Sequence, residues 1–213
     1  MITVHKNFLS ARDAELLSTD IARMNPTWFR TAYKFKNQEV AYLTDNLPDK
    51  DIKRANDHSL VSSMREGYFS YRFKRSVNHV EGCRCFECIF REKALEGFVK
   101  DFIQESLGYK KAVLGENFIS CYEEGDFLSM HADKQKGGCA FILNLTKGWR
   151  PEYGGLLHVK GEDGYYTAVV PEFNSLVVME LGEGGLDHFV SEVTKYAPHA
   201  RIAISGWYAD SKD

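Results

Sequence analysis

After Gly108 the chain breaks into eight short apolar or alternating runs, at 112–122, 127–132, 139–146, 155–160, 165–170, 174–181, 187–193 and 200–208. Gly, Pro, Asn or Asp separates most of them. Runs of this length lie within strand lengths, and turn residues at this spacing return the chain after each one. Eight such strands predict an all-β sandwich or barrel, most simply a jelly roll (a double-stranded β-helix) with a site at its mouth.

The first half has a different texture. Ser10, with Asp13 three positions on, opens a helical apolar pattern through Leu16, Leu17, Ile21 and Met24, which Asn25-Pro26 ends. Residues 37–60 are polar and read as loop. Residues 67–75 alternate aromatic and polar side chains and read as a strand. A second helix is expected over 89–107, with Phe90, Leu95, Phe98, Phe102 and Ile103 on one face. The expectation is an α+β protein in which a helical supporting region, 1–109, backs a jelly-roll domain, 110–213, in one compact unit.

Composition narrows the class. The 213 residues are 44% hydrophobic and 27% charged, an ordinary globular balance able to bury a sizeable core. A net charge of −3 gives no basic footprint for nucleic acid. No apolar run approaches a membrane span, and the N-terminus has no signal-peptide core. The expected location is cytoplasmic. The five cysteines are odd in number, and Cys83, Cys85 and Cys88 crowd together, so reduced thiols or a metal site are expected rather than a disulfide framework. With His79 they form a set suited to tetrahedral zinc, although the spacing is not that of a standard finger. The other reading is plain reduced thiols in a turn before the helix.

The chemistry is concentrated in the last third. His131 and Asp133 are two apart, so on a strand both side chains share a face. Two histidines and one carboxylate are the set that holds non-haem Fe(II) with open positions. The third ligand must come from a distant strand, and the residues leave His188, His199 and His158 as candidates. Arg201 lies in an otherwise apolar strand, where a buried guanidinium needs an anion and its planar fork suits a carboxylate.

In order along 110–209 stand Cys121-Tyr122-Glu-Glu-Gly-Asp126, His131-Ala-Asp133, Leu143-Asn144-Leu145, Trp149, Gly154-Gly155-Leu156, Pro171, Asn174-Ser-Leu, His188-Phe-Val190 and Arg201 through Trp207. This ordered set resembles the Fe(II)- and 2-oxoglutarate-dependent oxygenases, in particular their prolyl-4-hydroxylase-like branch. The resemblance implies that His131, Asp133 and His188 ligate Fe(II). It implies that Arg201 and Ser205 bind the distal carboxylate of 2-oxoglutarate, that Tyr122 lines that pocket and that Trp207 walls it. Asn144 and Asn174 match recurrent positions, where turn or backbone hydrogen bonding is expected. Two departures stand out: Ile142 occupies a position where many relatives carry a co-substrate-binding tyrosine, and the interval from His188 to Arg201 is longer than in several relatives.

The activity implied is hydroxylation of an unactivated C–H with 2-oxoglutarate and O2 as co-substrates, releasing succinate and CO2. Halogenases of this superfamily replace the carboxylate ligand with a small residue, so Asp133 points to hydroxylation. The substrate is a prolyl residue in a peptide, an amino acid or a related small metabolite. The aromatic and basic stretch Tyr68 to Arg75 either faces that substrate, its cations meeting a carboxylate or phosphate, or forms a solvated strand with an aromatic inner face. The competing class is a non-catalytic jelly-roll binding protein with the cysteine cluster as a zinc-stapled docking element.

Overall fold

A computed structural model describes residues 1–77, 91–134, 136 and 138–211. The elements in chain order are β1 (Ile2–Lys6), α1 (Ala11–Ala22), β2 (Phe29–Phe35), β3 (Gln38–Leu43), α2 (Lys50–Arg65) and β4 (Tyr71–Ser76). A π-helical segment (Lys93–Val99) then runs into α3 (Lys100–Leu107), which Gly108 ends in the left-handed conformation at φ 67°. The second half is β5 (Ala112–Tyr122), β6 (Phe127–His131), β7 (Cys139–Asn144), β8 (Leu157–Lys160), β9 (Tyr166–Val169), β10 (Ser175–Glu180), β11 (His188–Val190) and β12 (Arg201–Asp210). These last eight strands fall within two residues of the runs read from the sequence, except at the short β11, which ends at Val190. No helix among the described residues is long and apolar enough to cross a membrane.

All pairings between strands are antiparallel, in the order β1-β10-β7-β12-β5-β4-β6-β11-β8-β9, with β2 and β3 added beside β4. The sheet curls into the two facing halves of a jelly roll. Strand alternation then assigns each residue to one of two cores. Phe141, Leu143, Leu176, Val178, Ile204 and Tyr208 pack outward against Leu17 and Ile21 of α1 and against Leu95, Val99 and Ile103. Their neighbours Ile142, Val177, Met179 and Ala203 face inward, towards Phe73, Leu157, Val159 and Val190 of the opposite half. A third cluster seats Leu60 of α2 on Tyr33, Phe35 and Phe127.

Two sequence expectations need correction. The stretch 37–60 is not a loop, because it contains β3 and the start of α2. The edge strand β3 has no fully buried residue, and α2 buries only Leu60 and Ser63, so neither carries the apolar periodicity by which such elements are recognised. The one local signal is Asp49, which follows Pro48 and caps α2 by accepting from Ile52 N at 2.8 Å. In the helix before Gly108, Phe98 is 40% exposed rather than buried. The π-helical turn widens the repeat and rotates Phe98 outward, leaving Leu95, Val99 and Ile103 inside. The supporting region also contributes strands: β1 pairs with β10, and β4 with both β5 and β6.

Asn174 ties the N-terminal segment to the jelly roll. Its backbone is left-handed (φ 58°), a conformation that asparagine tolerates. Its side chain accepts from Leu9 N and donates to Leu9 O, both at 2.8 Å, and it is buried. Asn174→Ala should therefore cost about 2–4 kcal/mol, from two lost buried hydrogen bonds and a strained backbone. Asn174→Gly should recover only the backbone part. Urea unfolding of the three proteins checks the order.

Candidate metal centre and co-substrate pocket

Antiparallel pairing of β6 with β11 sets His131 directly across from His188. Asp133 follows two residues after His131, and the ligand atoms of the three side chains lie within 4.8 Å of one another. Each imidazole is oriented by the backbone of its own strand. His131 Nδ1 lies 2.9 Å from Ser129 O, and His188 Nδ1 lies 2.6 Å from Leu186 O. A carbonyl only accepts, so Nδ1 carries the proton and Nε2 is left with its lone pair. The two Nε2 atoms face the Asp133 carboxylate at 3.6 and 3.7 Å. Burial, reinforced by the neighbouring His188 ring, pushes the His131 pKa down against the pull of Asp133, which favours the neutral ring. Three acceptors thus converge with no proton between them, and that arrangement calls for a cation.

The surroundings hold these groups in place. Trp207 Nε1 donates to Asp133 Oδ2 at 3.0 Å, and Phe69 stacks on His131 at 4.5 Å. Gly185, at φ 71°, brings the approach to His188 so close that an added Cβ would sit 3.0 Å from the Ala132 methyl. The other two histidines are elsewhere. His158 pairs across from Phe189 rather than His188, so it occupies the opposite sheet face, and its ring stacks on Phe189 at 4.4 Å. His199 is exposed, 6.0 Å from the Trp149 ring.

Arg201 opens β12 on the inner face and is 3% exposed. It pairs across from Tyr122, with its guanidinium carbon 5.2 Å from that ring. Its Nη2 reaches Asn144 Oδ1 only at 3.5 Å, while its Nε is buried without a partner. Among the described residues no carboxylate pairs with it. Burial draws its pKa down, with Tyr122 opposing, and burial raises that of the Tyr122 hydroxyl. Ser205 lies four residues on along the same face, across from Ile142. Gly155 leaves room for the guanidinium stem, since an added Cβ would lie 3.3 Å from Arg201 Cδ. Arg201, Tyr122, Ser205, Trp207 and the His131–Asp133–His188 group all line one cavity of about 380 Å³.

The aromatic and basic strand divides between two faces. Tyr71, Phe73 and Arg75 line the cavity. Arg72 and Lys74 alternate with them and are spent on ion pairs, Arg72 with Asp126 at 2.8 Å and Asp57 at 3.2 Å, Lys74 with Glu123 at 2.5 Å. Asn144 bridges Arg201 and the Ser175 hydroxyl through its side chain instead of serving a turn. Sequence reasoning missed Lys34, whose strand β2 alternates Phe29, Thr31, Tyr33 and Phe35 with polar or small residues but went unread, and Glu39, whose edge strand β3 buries nothing, and it missed the Trp207–Asp133 bond, which no spacing encodes. His79, Cys83, Cys85 and Cys88 lie outside the described residues. Cys121 and Cys139 are free thiols.

Residues 118–209 match the sequence family described as the 2OG-Fe(II) oxygenase superfamily. A search of curated protein sequences returns no significant match. Among solved structures, a prolyl-4-hydroxylase from Pseudomonas putida is similar at 18% identity, TM-score 0.59, over 99% of this chain and 92% of that one. A prolyl hydroxylase from Trichoplax adhaerens, in complex with a hypoxia inducible factor oxygen degradation domain peptide fragment, is similar at 16% identity, TM-score 0.62, over 98% and 83%. HygX from Streptomyces hygroscopicus, with nickel and 2-oxoglutarate bound, is similar at 10% identity, TM-score 0.59, over 99% and 83%. At these identities the structures share the fold, while the family match covers His131, Asp133, His188, Tyr122, Arg201, Ser205 and Trp207 but not the cavity residues from Lys34 to Glu116. Over residues 118–209 the chain is thus similar to the 2OG-Fe(II) oxygenase superfamily, whose members use Fe(II), 2-oxoglutarate and O2, and over nearly its whole length it shares the fold of the solved prolyl hydroxylases.

Proposed function

We propose that this protein is a hydroxylase that inserts one oxygen atom of O2 into an unactivated C–H of a prolyl residue, an amino acid or a related small metabolite. The observation that carries the reading is Arg201, a buried cation with an unpartnered Nε, opening into the same cavity as three converging acceptors. That combination fits a diacid that chelates a metal at one end and needs a cation for the carboxylate at the other. His131, Asp133 and His188 would hold Fe(II); Arg201 and Ser205, beside Tyr122, would hold the distal carboxylate of 2-oxoglutarate. When bound, iron and 2-oxoglutarate supply the oxidising chemistry, with substrate, 2-oxoglutarate and O2 going to hydroxylated substrate, succinate and CO2.

The chain's own residues have definable tasks. The carbonyls of Ser129 and Leu186 keep both imidazoles in the Nδ1–H tautomer, so each presents Nε2 to the metal. Trp207 fixes the rotation of the Asp133 carboxylate by bonding Oδ2. Arg201 neutralises the buried carboxylate; Ile142, facing Ser205 where relatives carry a tyrosine, offers no hydroxyl, which concentrates binding on Arg201 and Ser205. Phe69, Tyr71, Phe73 and Leu128 line the cavity with apolar surface that displaces water. A non-catalytic binding protein would have no use for a converging acceptor trio in one cavity with a buried arginine that has no carboxylate partner among the described residues.

Succinate release tests the reading directly. The iron-supplied protein should convert 2-oxoglutarate to succinate, and a screen of free amino acids and proline-containing peptides should find a product heavier by about 16 mass units, one inserted oxygen. Asp133→Ala should abolish both signals; full turnover in that variant would remove Asp133 as a ligand.

Arg201→Ala should leave metal binding nearly intact but raise the 2-oxoglutarate requirement by about a hundredfold or more, as expected for loss of a buried charge-assisted pair. Arg201→Lys should rescue in part, because a point charge replaces the two-pronged fork. Saturation curves in 2-oxoglutarate decide this.

Trp207→Phe keeps an aromatic wall and removes one N–H. Metal affinity, read by calorimetric titration with Mn(II), should fall about tenfold or more, the usual cost of losing a bond that orients a ligand, while the melting temperature stays near that of the parent. An unchanged affinity would reduce Trp207 to a wall.

A further inference from the structure

On β2, Arg30, Ala32 and Lys34 point to one side of the sheet. Cross-strand register sets Arg30 opposite Arg75 of β4, Ala32 opposite Phe73, and Lys34 opposite Tyr71. On the other flank, Ala32 faces Ala41 and Lys34 faces Glu39 of β3. The opposite side of β2, with Tyr33 and Phe35, is covered by α2. The open side is therefore a trough whose small floor residues are the exposed Ala41 and, beneath it, the buried Ala32. It forms a cleft of about 400 Å³ that shares Glu39 and Arg75 with the metal-centre cavity. Those two shared residues set the cleft beside the cavity. From Lys34 to Arg30 the trough extends about 13 Å, at the rise of an extended strand.

The charges around cleft and cavity are unbalanced. Arg30 and Arg75 stand directly opposite each other, an arrangement that destabilises a sheet unless an anion joins them. Arg75 shares Glu116 with Lys136, at 2.5 and 2.7 Å, and stacks on Phe118 at 4.2 Å. Arg30 is exposed and has no ion pair among the described residues. Lys34, at the cavity mouth, likewise has none and lies only over the Phe69 ring at 5.9 Å. Glu39 is already engaged as acceptor for the Tyr71 hydroxyl. Across cleft and cavity five cations (Arg30, Lys34, Arg75, Lys136 and Arg201) thus meet three carboxylates (Glu39, Glu116 and Asp133), in a chain whose net charge is −3.

We propose that the β2–β3–β4 trough is a substrate subsite for an extended peptide, with an acidic side chain of that peptide bound by Arg30 and Arg75 while another of its residues enters the cavity. The inference rests on the reading of that cavity as the reaction pocket. A free metabolite held over the metal centre would not need a second cleft of equal size. A chain in extended conformation spans it, and the small floor residues leave room for its backbone. A carboxylate between the two arginines relieves their repulsion and accepts charge-assisted hydrogen bonds from both.

The test uses the full chain with Mn(II) in place of iron and with 2-oxoglutarate, so that binding is read without turnover. Fluorescein-labelled twelve-residue peptides carry one central proline in an alanine–glycine background. A single glutamate is placed two to six positions to either side, with glutamine at the same place in the control. The best glutamate peptide should bind about tenfold more tightly than its glutamine control, one charge-assisted contact's worth. The preference should vanish in Arg30→Gln and in Arg75→Gln. Arg30→Glu, on an exposed position where folding is not at stake, should instead favour the matching lysine peptide. Equal binding of glutamate and glutamine peptides at every position, no binding by any of them, or a preference that survives both arginine variants overturns the proposal. So does displacement of the peptide by free N-acetylglutamate with equal affinity, which would mark a small-molecule site. Succinate formation by the iron-supplied protein is followed in parallel. Glutamate preference without 2-oxoglutarate turnover would sink the oxygenase reading and leave the subsite standing, and turnover without preference would do the reverse.

Discussion

A strand covered on both faces must divide its residues between two environments, and that division organises this molecule. β7 is buried at every position, β10 at all but its last, and β12 is buried or half-buried up to Tyr208. On β12, Ile204 and Tyr208 belong to the core under α1 and α3. Arg201, Ser205 and Trp207 alternate with them and therefore share the opposite, inner face. The helices do more than shield the sheet. By filling one face with apolar packing they leave the other to carry the polar groups of the cavity. A one-residue slip of β12 would exchange the two sets and destroy core and cavity together.

Electrostatics explains why the cavity is a site rather than a void. Folding leaves a guanidinium buried without a carboxylate and three acceptors facing one another without a proton. Each costs free energy in the empty protein, and each cost is relieved by a ligand of the opposite sign. A metal cation and a dianionic acid bound together answer both. The same logic recurs more weakly at the surface, where Arg30 and Arg75 are opposed across β2 and β4.

Much of the site was legible in the sequence because strands are local. His131 and Asp133 share a face by their spacing alone, as do Arg201 and Ser205, and the eight runs after Gly108 carry their own turn signals. The less legible elements have weak local signals. β3 is an edge strand without a buried residue, and α2 touches the core mainly through Leu60, so their polarity reads as loop. Phe98 was misplaced because a π-helical turn changes the repeat on which a helical face is read.

By itself the sequence determined where the eight strands after Gly108 lie, which residues share a strand face and the residue types able to hold a metal and an acid. Periodicity and turn chemistry act over a few residues and need no partner. Only the tertiary structure decided which histidine joins His131. The register of β6 against β11 selected His188, while β8 turned His158 to the other face and His199 was left in solvent. It also decided that Trp207 bonds Asp133 and that Arg30 stands opposite Arg75. Those contacts join residues many positions apart in the chain. Their distances are set by strand pairing and packing, which the order of residues constrains only through the whole fold.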